Sequence, residues 1–176
     1  MKEDFVSLYN SESDAIFRYC YIRTSNRESA LDLTQDTFMR FWDSLSRGKK
    51  ITNKRAFLFT IARNLVIDWY RKEKPVSLEG LAEGNEGDFD SLLPIEEGVH
   101  ERIEMDSEGR YLIEKIKELH PTYQQAVYLR FVEDLKPEEI AEALGISVTA
   151  ASVRIHRGLK ELRDNTGYKK DEHKQT

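Results

Sequence analysis

An acidic, glycine-containing segment interrupts a sequence of 176 residues that otherwise favours helices. Between residues 75 and 108, eleven acidic side chains face the single base Arg102, and residues 80–94 include three glycines and a proline. This composition leaves few groups that could build a core, and it favours a flexible connection. We therefore expect two small folded units, one on each side of the segment, rather than one large core.

Both flanks of the acidic segment are basic, although the whole chain has a net charge of −5. Residues 47–74 contain nine bases and two acids, and residues 144–163 contain four bases and one acid. Neutralising phosphates supplies most sequence-independent affinity for nucleic acid, so two separated basic surfaces favour two contacts with one polyanion. Ordinary solvated helix faces would give the same charge runs.

Apolar residues recur at helical spacing, whereas the alternation typical of strands is hard to find, so the expected fold is all-α. In the first unit the spacing predicts helices over residues 5–23 and 27–46. It predicts a third helix that begins near residue 54, capped by Asn53 and ended by Pro75. The expected core positions are Phe5, Leu8, Tyr9, Ile16, Tyr19, Cys20, Leu31, Phe38, Phe41, Trp42, Leu45, Phe57, Leu58, Ile61, Leu65 and Trp69.

In the second unit the pattern predicts helices over residues 102–119 and 122–132. Pro137 then suits the first position of a helix because its φ is already fixed. A turn at Gly145 and a helix from Ser147 complete a helix-turn-helix. A helical hairpin in a plain bundle could show the same pattern, so DNA binding is here the favoured of two interpretations.

The last helix has two different sides when its residues are placed at about 100° each. Ala151, Ile155, Leu159 and Leu162 face the core. Arg157 on the opposite side could bond to guanine, and Val153 could contact a thymine methyl group. Arg154 and Lys160 suit phosphates because they are long, cationic and nearer the edges of the face. The candidate DNA-contacting residues of this helix are Thr149, Ser152, Val153, Arg154, His156, Arg157 and Lys160.

An acidic face on the second helix carries Glu28, Asp32, Gln35, Asp36 and Asp43. Phosphates would be repelled by such a face. It is more compatible with a basic protein partner.

Three motifs in order resemble the extracytoplasmic-function (ECF) sigma factors, the small two-domain class of bacterial RNA polymerase specificity subunits. Residues 32–38 resemble region 2.2 of that family, and residues 58–64 with 68–71 resemble regions 2.3 and 2.4. Residues 121–134 and 138–163 resemble regions 4.1 and 4.2. The resemblance covers nearly the whole chain.

The resemblance implies a role for each candidate surface. Asp32, Gln35 and Asp36 would dock on the coiled coil of the polymerase β′ subunit. Region 4.2 would read the minus-35 element, and regions 2.3 and 2.4 would open and read the minus-10 element. To hold single-stranded bases, a protein needs a row of cationic side chains together with aromatic or amide groups. The candidate minus-10 residues are Arg63, Asn64, Tyr70, Arg71 and Lys72, and Trp69 is expected to be buried.

Further expectations follow from the family. Asn64 would lie in a loop position that helps to hold a flipped base, while an ordinary helix-interior amide is the alternative. The recognition helix departs from the frequent Thr-Val-Lys-Ser-Arg pattern and reads Ala150-Ala151-Ser152-Val153-Arg154, so no known minus-35 sequence transfers. The expected partners are core RNA polymerase and promoter DNA, and the family adds an anti-sigma factor as a candidate. No small-molecule substrate is expected.

The domain prediction combines these observations. Residues 1–74 would form the region 2-like unit, residues 75–101 the acidic linker, residues 102–166 the region 4-like unit and residues 167–176 a polar tail. A flexible coil of about 22 residues within this linker would reach roughly 25 Å on average and about 70 Å when stretched. The two units could then touch DNA sites more than one helical turn apart.

The alternative function is a one-component helix-turn-helix transcription regulator that acts without polymerase, but it leaves the acidic face without a partner. A protein-binding helical adaptor does not explain two basic surfaces. An enzyme fits worst, because the four histidines show no metal-ligand spacing and no phosphate-binding glycine loop is present, so no catalytic residue, metal or cofactor is expected.

The apolar runs are shorter than the about 18 residues that a membrane span needs, and the N-terminus lacks a signal-peptide core. These features predict a cytoplasmic protein that does not span a membrane. The single cysteine, Cys20, is expected to be buried and inert.

Overall fold

The computed structural model describes residues 1–73 and 105–167, and every regular element within these ranges is an α-helix. The prediction of an all-α fold is therefore confirmed. The predicted acidic linker, residues 75–101, and the tail beyond Gly167 lie outside the described residues. The helices are α1 (Lys2–Thr24), α2 (Arg27–Ser46), α3 (Lys54–Glu73), α4 (Ser107–Lys117), α5 (Pro121–Phe131), α6 (Pro137–Leu144) and α7 (Val148–Thr166).

Side-chain caps begin several of these helices where the sequence places short polar residues. The Asn53 side chain accepts a hydrogen bond from the backbone N–H of Ala56 at 2.9 Å, as predicted for the start of α3. Ser147 caps α7 in the same way through the N–H of Ala150 at 3.0 Å. Gly145 ends α6 with a φ of 65°, a left-handed conformation that favours glycine. The sequence thus fixes the helix-turn-helix geometry locally.

Helices α1, α2 and α3 pack around one aromatic-rich core. Phe5 meets Phe38 edge to face, with ring centroids 6.2 Å apart, and Tyr19 meets Phe59 in the same way at 5.6 Å. Cys20 is fully buried beside them, which raises the pKa of its thiol to about 12. The prediction that Cys20 is buried is confirmed.

Helices α4 to α7 form the second unit, in which α5 and α7 approach closely. Gly158 of α7 is buried where the two helices cross, and a Cβ atom there would overlap Val127 and lie 3.0 Å from the Cβ of Tyr123. A residue without a side chain is therefore required at this crossing. Ile113, Ile116 and Ala151 are fully buried in the same core.

The two units are in contact with each other through α3 and α6. The Asn53 amide donates a hydrogen bond to Glu139 at 2.9 Å, and the Thr60 hydroxyl donates to the backbone carbonyl of Glu142 at 3.3 Å. The ring of Tyr19 on α1 also lies 6.2 Å from that of Tyr128 on α5. The first helix of the helix-turn-helix therefore rests on the third helix of the first unit.

Some predicted core positions are wrong. Leu31 is 43% exposed and lies on the acidic side of α2, because that helix turns Ala30, Leu33 and Thr34 inward instead. Tyr9 is also 43% exposed, near the open N-terminal end of α1. Six further predicted core residues are only half-buried, namely Phe5, Leu8, Trp42, Leu45, Phe57 and Trp69.

Candidate nucleic-acid interface

Helix α7 presents an open face with mixed chemistry. Ser152, Val153, His156, Arg157 and Lys160 are all exposed, and Thr149 joins them at the start of the helix. Arg154 lies at the edge of this face and is half-buried. The opposite side packs through Ala151, Gly158 and the half-buried Ile155 and Leu162, and Leu159 is also half-buried. The predicted division of α7 into a core side and an open side is therefore observed.

The chemistry of this open face suits the edges of bases and the phosphates around them. A guanidinium group can bond twice to guanine, an apolar side chain can contact the thymine methyl group, and an ammonium group neutralises phosphate. Since α7 is the second helix of a helix-turn-helix, its N-terminal half is the part that enters a major groove in proteins of this construction.

The candidate residues on α3 have more varied surroundings. Arg71 and Lys72 are exposed at the end of the helix, and Arg71 lies 3.8 Å from Asp68. Arg63 and Tyr70 are half-buried, and the Tyr70 hydroxyl donates a hydrogen bond of 2.6 Å to the backbone carbonyl of Arg23. Tyr70 is thus partly exposed and also connects α3 to α1.

The position expected for Asn64 is wrong. Its backbone is helical and lies well inside α3 rather than in a loop, because no helix-breaking residue occurs between Lys54 and Glu73. Its side chain is nevertheless exposed. Trp69 packs edge to face with Tyr70 at 5.3 Å instead of filling the core.

The acidic face of α2 is open. Asp32, Gln35 and Asp36 are all exposed, and the exposed apolar residues Leu31 and Met39 lie on the same helix. Next to Gln35 an apolar groove of about 600 Å³ runs between α1 and α2. The groove is lined by Lys2, Phe5, Val6, Tyr9, Gln35, Phe38, Met39 and Trp42. The acidic patch and the groove together form one surface, which we call the α2 face.

A buried polar network at the contact between the two units was not predicted from the sequence. Arg18 on α1 donates hydrogen bonds of 2.7 and 2.8 Å to the two carboxylate oxygens of Glu133, which follows α5. The Tyr128 hydroxyl donates to the same carboxylate at 2.6 Å. The carboxylate raises the pKa of Arg18 further, and burial raises the pKa of Tyr128, so both groups keep their protons. Arg18 and Glu133 are 115 positions apart, and no local sequence signal links them.

Among the described residues, no cluster of three or more His, Cys, Asp or Glu side chains could hold a metal ion. Within the same ranges, no helix combines the length and the apolar character that crossing a membrane requires. The described surfaces with distinctive chemistry are therefore the α2 face and the exposed sides of α3 and α7.

Two family descriptions match the two units separately. Residues 8–76 match Sigma-70 region 2, and residues 109–162 match Sigma-70, region 4. The first range covers most of α1 to α3, and the second covers most of α4 to α7. A one-component regulator would need only the second.

Characterised relatives match along nearly the whole chain. The RNA polymerase sigma factor YlaC of Bacillus subtilis is 30% identical over 171 residues, which cover 97% of this chain and 96% of the relative. The ECF RNA polymerase sigma factor SigW of the same organism is 32% identical over 91% of this chain and 86% of its own. A solved structure with a similar fold is that of the sigma factor RpoE of Bartonella quintana in complex with the anti-sigma factor NepR. Its TM-score is 0.64 at 21% sequence identity, and the match covers 96% of this chain and 99% of the RpoE chain.

The order of the two regions and the full-length relatives lead to one conclusion. The chain belongs to the ECF sigma factors of the sigma-70 family, which bind core RNA polymerase and direct transcription initiation to specific promoters.

Proposed function

We propose that this sigma factor divides its contacts among three surfaces. The α2 face, through Asp32, Gln35 and Asp36, docks on core polymerase. The exposed side of α3 contacts the minus-10 element, and the exposed side of α7 contacts the minus-35 element. The observation that carries the proposal is the opposite chemistry of two open helix faces, acidic on α2 and cationic on α7.

The acidic charge of α2 supports a protein partner rather than DNA. Phosphates repel carboxylates, whereas a basic helix of a partner is attracted and oriented by them. The exposed Met39 and the apolar groove beside Gln35 add surface that water solvates poorly, as at the centre of protein interfaces. Together they fit a partner helix that carries both basic and apolar side chains.

The α3 and α7 assignments rest on side-chain chemistry and exposure. On α3 the proposed minus-10 contacts are Arg63, Asn64, Tyr70, Arg71 and Lys72, which combine cations with an amide and an aromatic ring. On α7 the proposed minus-35 contacts are Thr149, Ser152, Val153, Arg154, His156, Arg157 and Lys160. Arg157 and Val153 would read bases, while Arg154 and Lys160 would hold phosphates.

The proposal includes the domain limits and the setting. We propose that residues 1–74 and 102–166 are the two functional units and that the protein acts in the cytoplasm, where core polymerase is found. The structural relative was solved with an anti-sigma factor. We propose that this chain also has such a partner, which would block transcription by covering either the α2 face or the α7 face.

Replacing Asp32 and Asp36 together by alanine tests the docking surface. Both side chains are exposed, so the fold should persist while the affinity for core polymerase falls by about tenfold or more, as expected when a central charged contact is removed. Titration of labelled protein with core polymerase measures the affinity. Asp14→Ala, which changes an exposed acidic residue of α1 outside the α2 face, is the matched control and should bind normally. Unchanged affinity in the double variant would refute the docking assignment.

A further inference from the structure

The open side of α7 has two edges that differ in charge. Counted at about 100° per residue from Val153, Arg157 lies about 40° and Arg154 about 100° to one side. On the other side, His156 lies at about 60° and Ser152 at about 100°. We call the first pair the arginine edge and the second pair the histidine edge. Both edges border the face that the proposed function assigns to the minus-35 element.

The histidine edge carries no permanent charge within residues 148–159. Ser152 and His156 are both exposed, and they are neighbours on the helix surface because they are four positions apart. The next base on this edge is Arg163, about two turns after His156. The guanidinium groups of the arginine edge, by contrast, stay protonated at any ordinary pH. His156 is therefore the group through which the histidine edge can change its charge near neutral pH.

No carboxylate of α7 lies close to His156. Residues 148–160 contain no Asp or Glu, and Lys160, one turn further on and nearer the middle of the open side, is a cation. Within residues 1–73 and 105–167, His156 takes part in no hydrogen bond, ion pair or ring contact. Its imidazole is thus exposed to solvent and available to a ligand.

The helices packed against α7 do not supply a negative charge to His156 either. Helices α4, α5 and α6 contact the side of α7 that carries the buried Ala151 and Gly158. Glu161, the first acid of α7, accepts a hydrogen bond of 2.8 Å from the backbone N–H of His120 at the start of α5. Charged side chains of the neighbouring helices pair elsewhere, Glu114 with Lys117, Lys115 with Glu118, Arg130 with Asp134 and Glu139 with Asn53, and Glu138 and Glu142 of α6 are exposed. Among the described residues and their ligands, a DNA phosphate would therefore be the first anion that His156 contacts.

Phosphate binding and proton binding are coupled at such a position. A protonated imidazole is a cation with two N–H donors, whereas the neutral ring has one donor and no charge. A phosphate oxygen binds the charged form more tightly, because a hydrogen bond between a cation and an anion is stronger than one to a neutral donor. Binding of DNA to the histidine edge should therefore take up a proton.

We propose that His156, in its protonated form, donates a hydrogen bond to a backbone phosphate beside the minus-35 element, so that promoter binding strengthens as the pH falls. This inference rests on the proposed function, since it requires the open side of α7 to face the DNA. The contact is made at about pH 6 and is lost as the pH rises towards about pH 8. The arginine edge holds the DNA throughout this range, and the histidine edge adds a contact that depends on the proton.

Affinity measured across this pH range tests the proton. The probe is the upstream duplex of a promoter recovered by transcription from a pooled library, and the protein is the holoenzyme formed with core polymerase. Between about pH 8 and pH 6, the wild type should gain about fivefold to tenfold in affinity relative to His156→Gln, as expected for one charge-assisted hydrogen bond. His156→Lys, which keeps its charge, should bind as tightly at the higher pH as at the lower.

The matched control is His120→Asn. The ring of His120 accepts a hydrogen bond from the backbone N–H of Thr122, and asparagine keeps an acceptor at this helix cap. This variant should show the pH dependence of the wild type. If His156→Gln shows that same dependence, the proposal is overturned, while altered base preference in Arg157→Ala would still support the proposed function. If the library yields no promoter, the proposed function fails and this inference falls with it.

The salt dependence of binding identifies the phosphate. One additional phosphate contact should steepen the slope of log affinity against log salt concentration by about 0.9. The wild type should show this steeper slope at about pH 6 compared with pH 8, whereas His156→Gln should have equal slopes. The pH effect should also be the same on duplexes that differ by one base pair of the upstream element. An effect confined to one sequence would overturn the phosphate assignment, because His156 would then read a base.

Discussion

Helices α3 and α7 both carry candidate DNA contacts, but they combine folding and binding differently. On α7 the two roles lie on opposite sides: Gly158 packs against α5, whereas Arg157 is exposed to solvent. On α3 they overlap, since Tyr70 is a candidate base contact whose hydroxyl also bonds to the backbone of α1. The N-terminal part of α3 and the residue that precedes it also contact α6.

Because of this difference between α3 and α7, the effect of a single mutation is easier to interpret on α7 than on α3. A change on the open side of α7 should alter DNA affinity without altering stability, whereas a change on α3 should often alter both. An α-helix that only reads duplex DNA needs one free side. A helix that must hold opened bases near its own domain cannot separate the two roles so cleanly.

Gly158→Val should have the largest effect on stability, because it disrupts the packed side of α7. A side chain there would overlap Val127 and crowd Tyr123, and overpacking of this kind should lower the unfolding free energy by about 3 kcal/mol. Urea unfolding measures the loss. Ser152→Val, an exposed position on the same helix, is the control and should leave stability within about 0.5 kcal/mol. A Gly158→Val protein as stable as the wild type would contradict the division of α7 into a packed side and an open side.

Arg157→Ala should weaken binding to a minus-35 duplex by about 1 to 3 kcal/mol if the side chain makes a bidentate base contact. Stability should not change, since Arg157 is exposed. Fluorescence anisotropy with variant duplexes should show relaxed preference at one base position. Lys160→Ala provides the contrast, because losing a phosphate contact should weaken all sequences alike and reduce the salt dependence. An unchanged base preference in Arg157→Ala would remove this residue from the site.

Tyr70→Phe should lower the unfolding free energy by about 1 kcal/mol, because it removes the hydrogen bond to the Arg23 carbonyl. Thermal unfolding detects this. Lys72→Ala, exposed on the same helix, should leave the stability unchanged while weakening minus-10 binding. If Tyr70→Phe is as stable as the wild type, the overlap of roles on α3 is overstated.

The ionisation of Cys20 should have the smallest effect on stability, and it concerns the first unit alone. Its pKa is raised by burial to about 12 from an ordinary value of 9.0, so the unfolded thiol loses its proton at lower pH than the folded one. Stability should therefore fall as pH rises above about 9, by about 0.8 kcal/mol between pH 8 and pH 9.5. Chemical unfolding across this range, compared with Cys20→Ala, isolates the contribution. The same slope in both proteins would contradict the burial of this thiol.

Local features could be predicted from the sequence because their causes are local. The limits of α2, the Asn53 and Ser147 caps and the turn at Gly145 each depend on residues within a few positions. The exposed candidate residues of α7 followed from angular spacing alone. The order of motifs also revealed the family, because each motif keeps its chemistry in a short stretch.

Long-range features could not be predicted in this way. The Arg18–Glu133 pair joins distant positions, and a single acidic residue after α5 has no feature that distinguishes it from its neighbour Asp134. The exposure of Leu31 and the half-burial of Trp69 depend on which side of each helix its neighbours cover. Apolar spacing shows that a helix has a buried side, but it locates the edges of that side poorly.

In vitro transcription from a pooled promoter library, with bacterial core polymerase and with or without this protein, tests the central claim most directly. We predict transcripts that start downstream of a shared two-part motif only when the protein is present. Arg157→Ala should change the upstream part of the motif, and Asn64→Ala should change the downstream part. If the protein neither binds core polymerase nor changes where transcription starts, while it still binds duplex DNA, then the assignment of the α2 and α3 surfaces is contradicted.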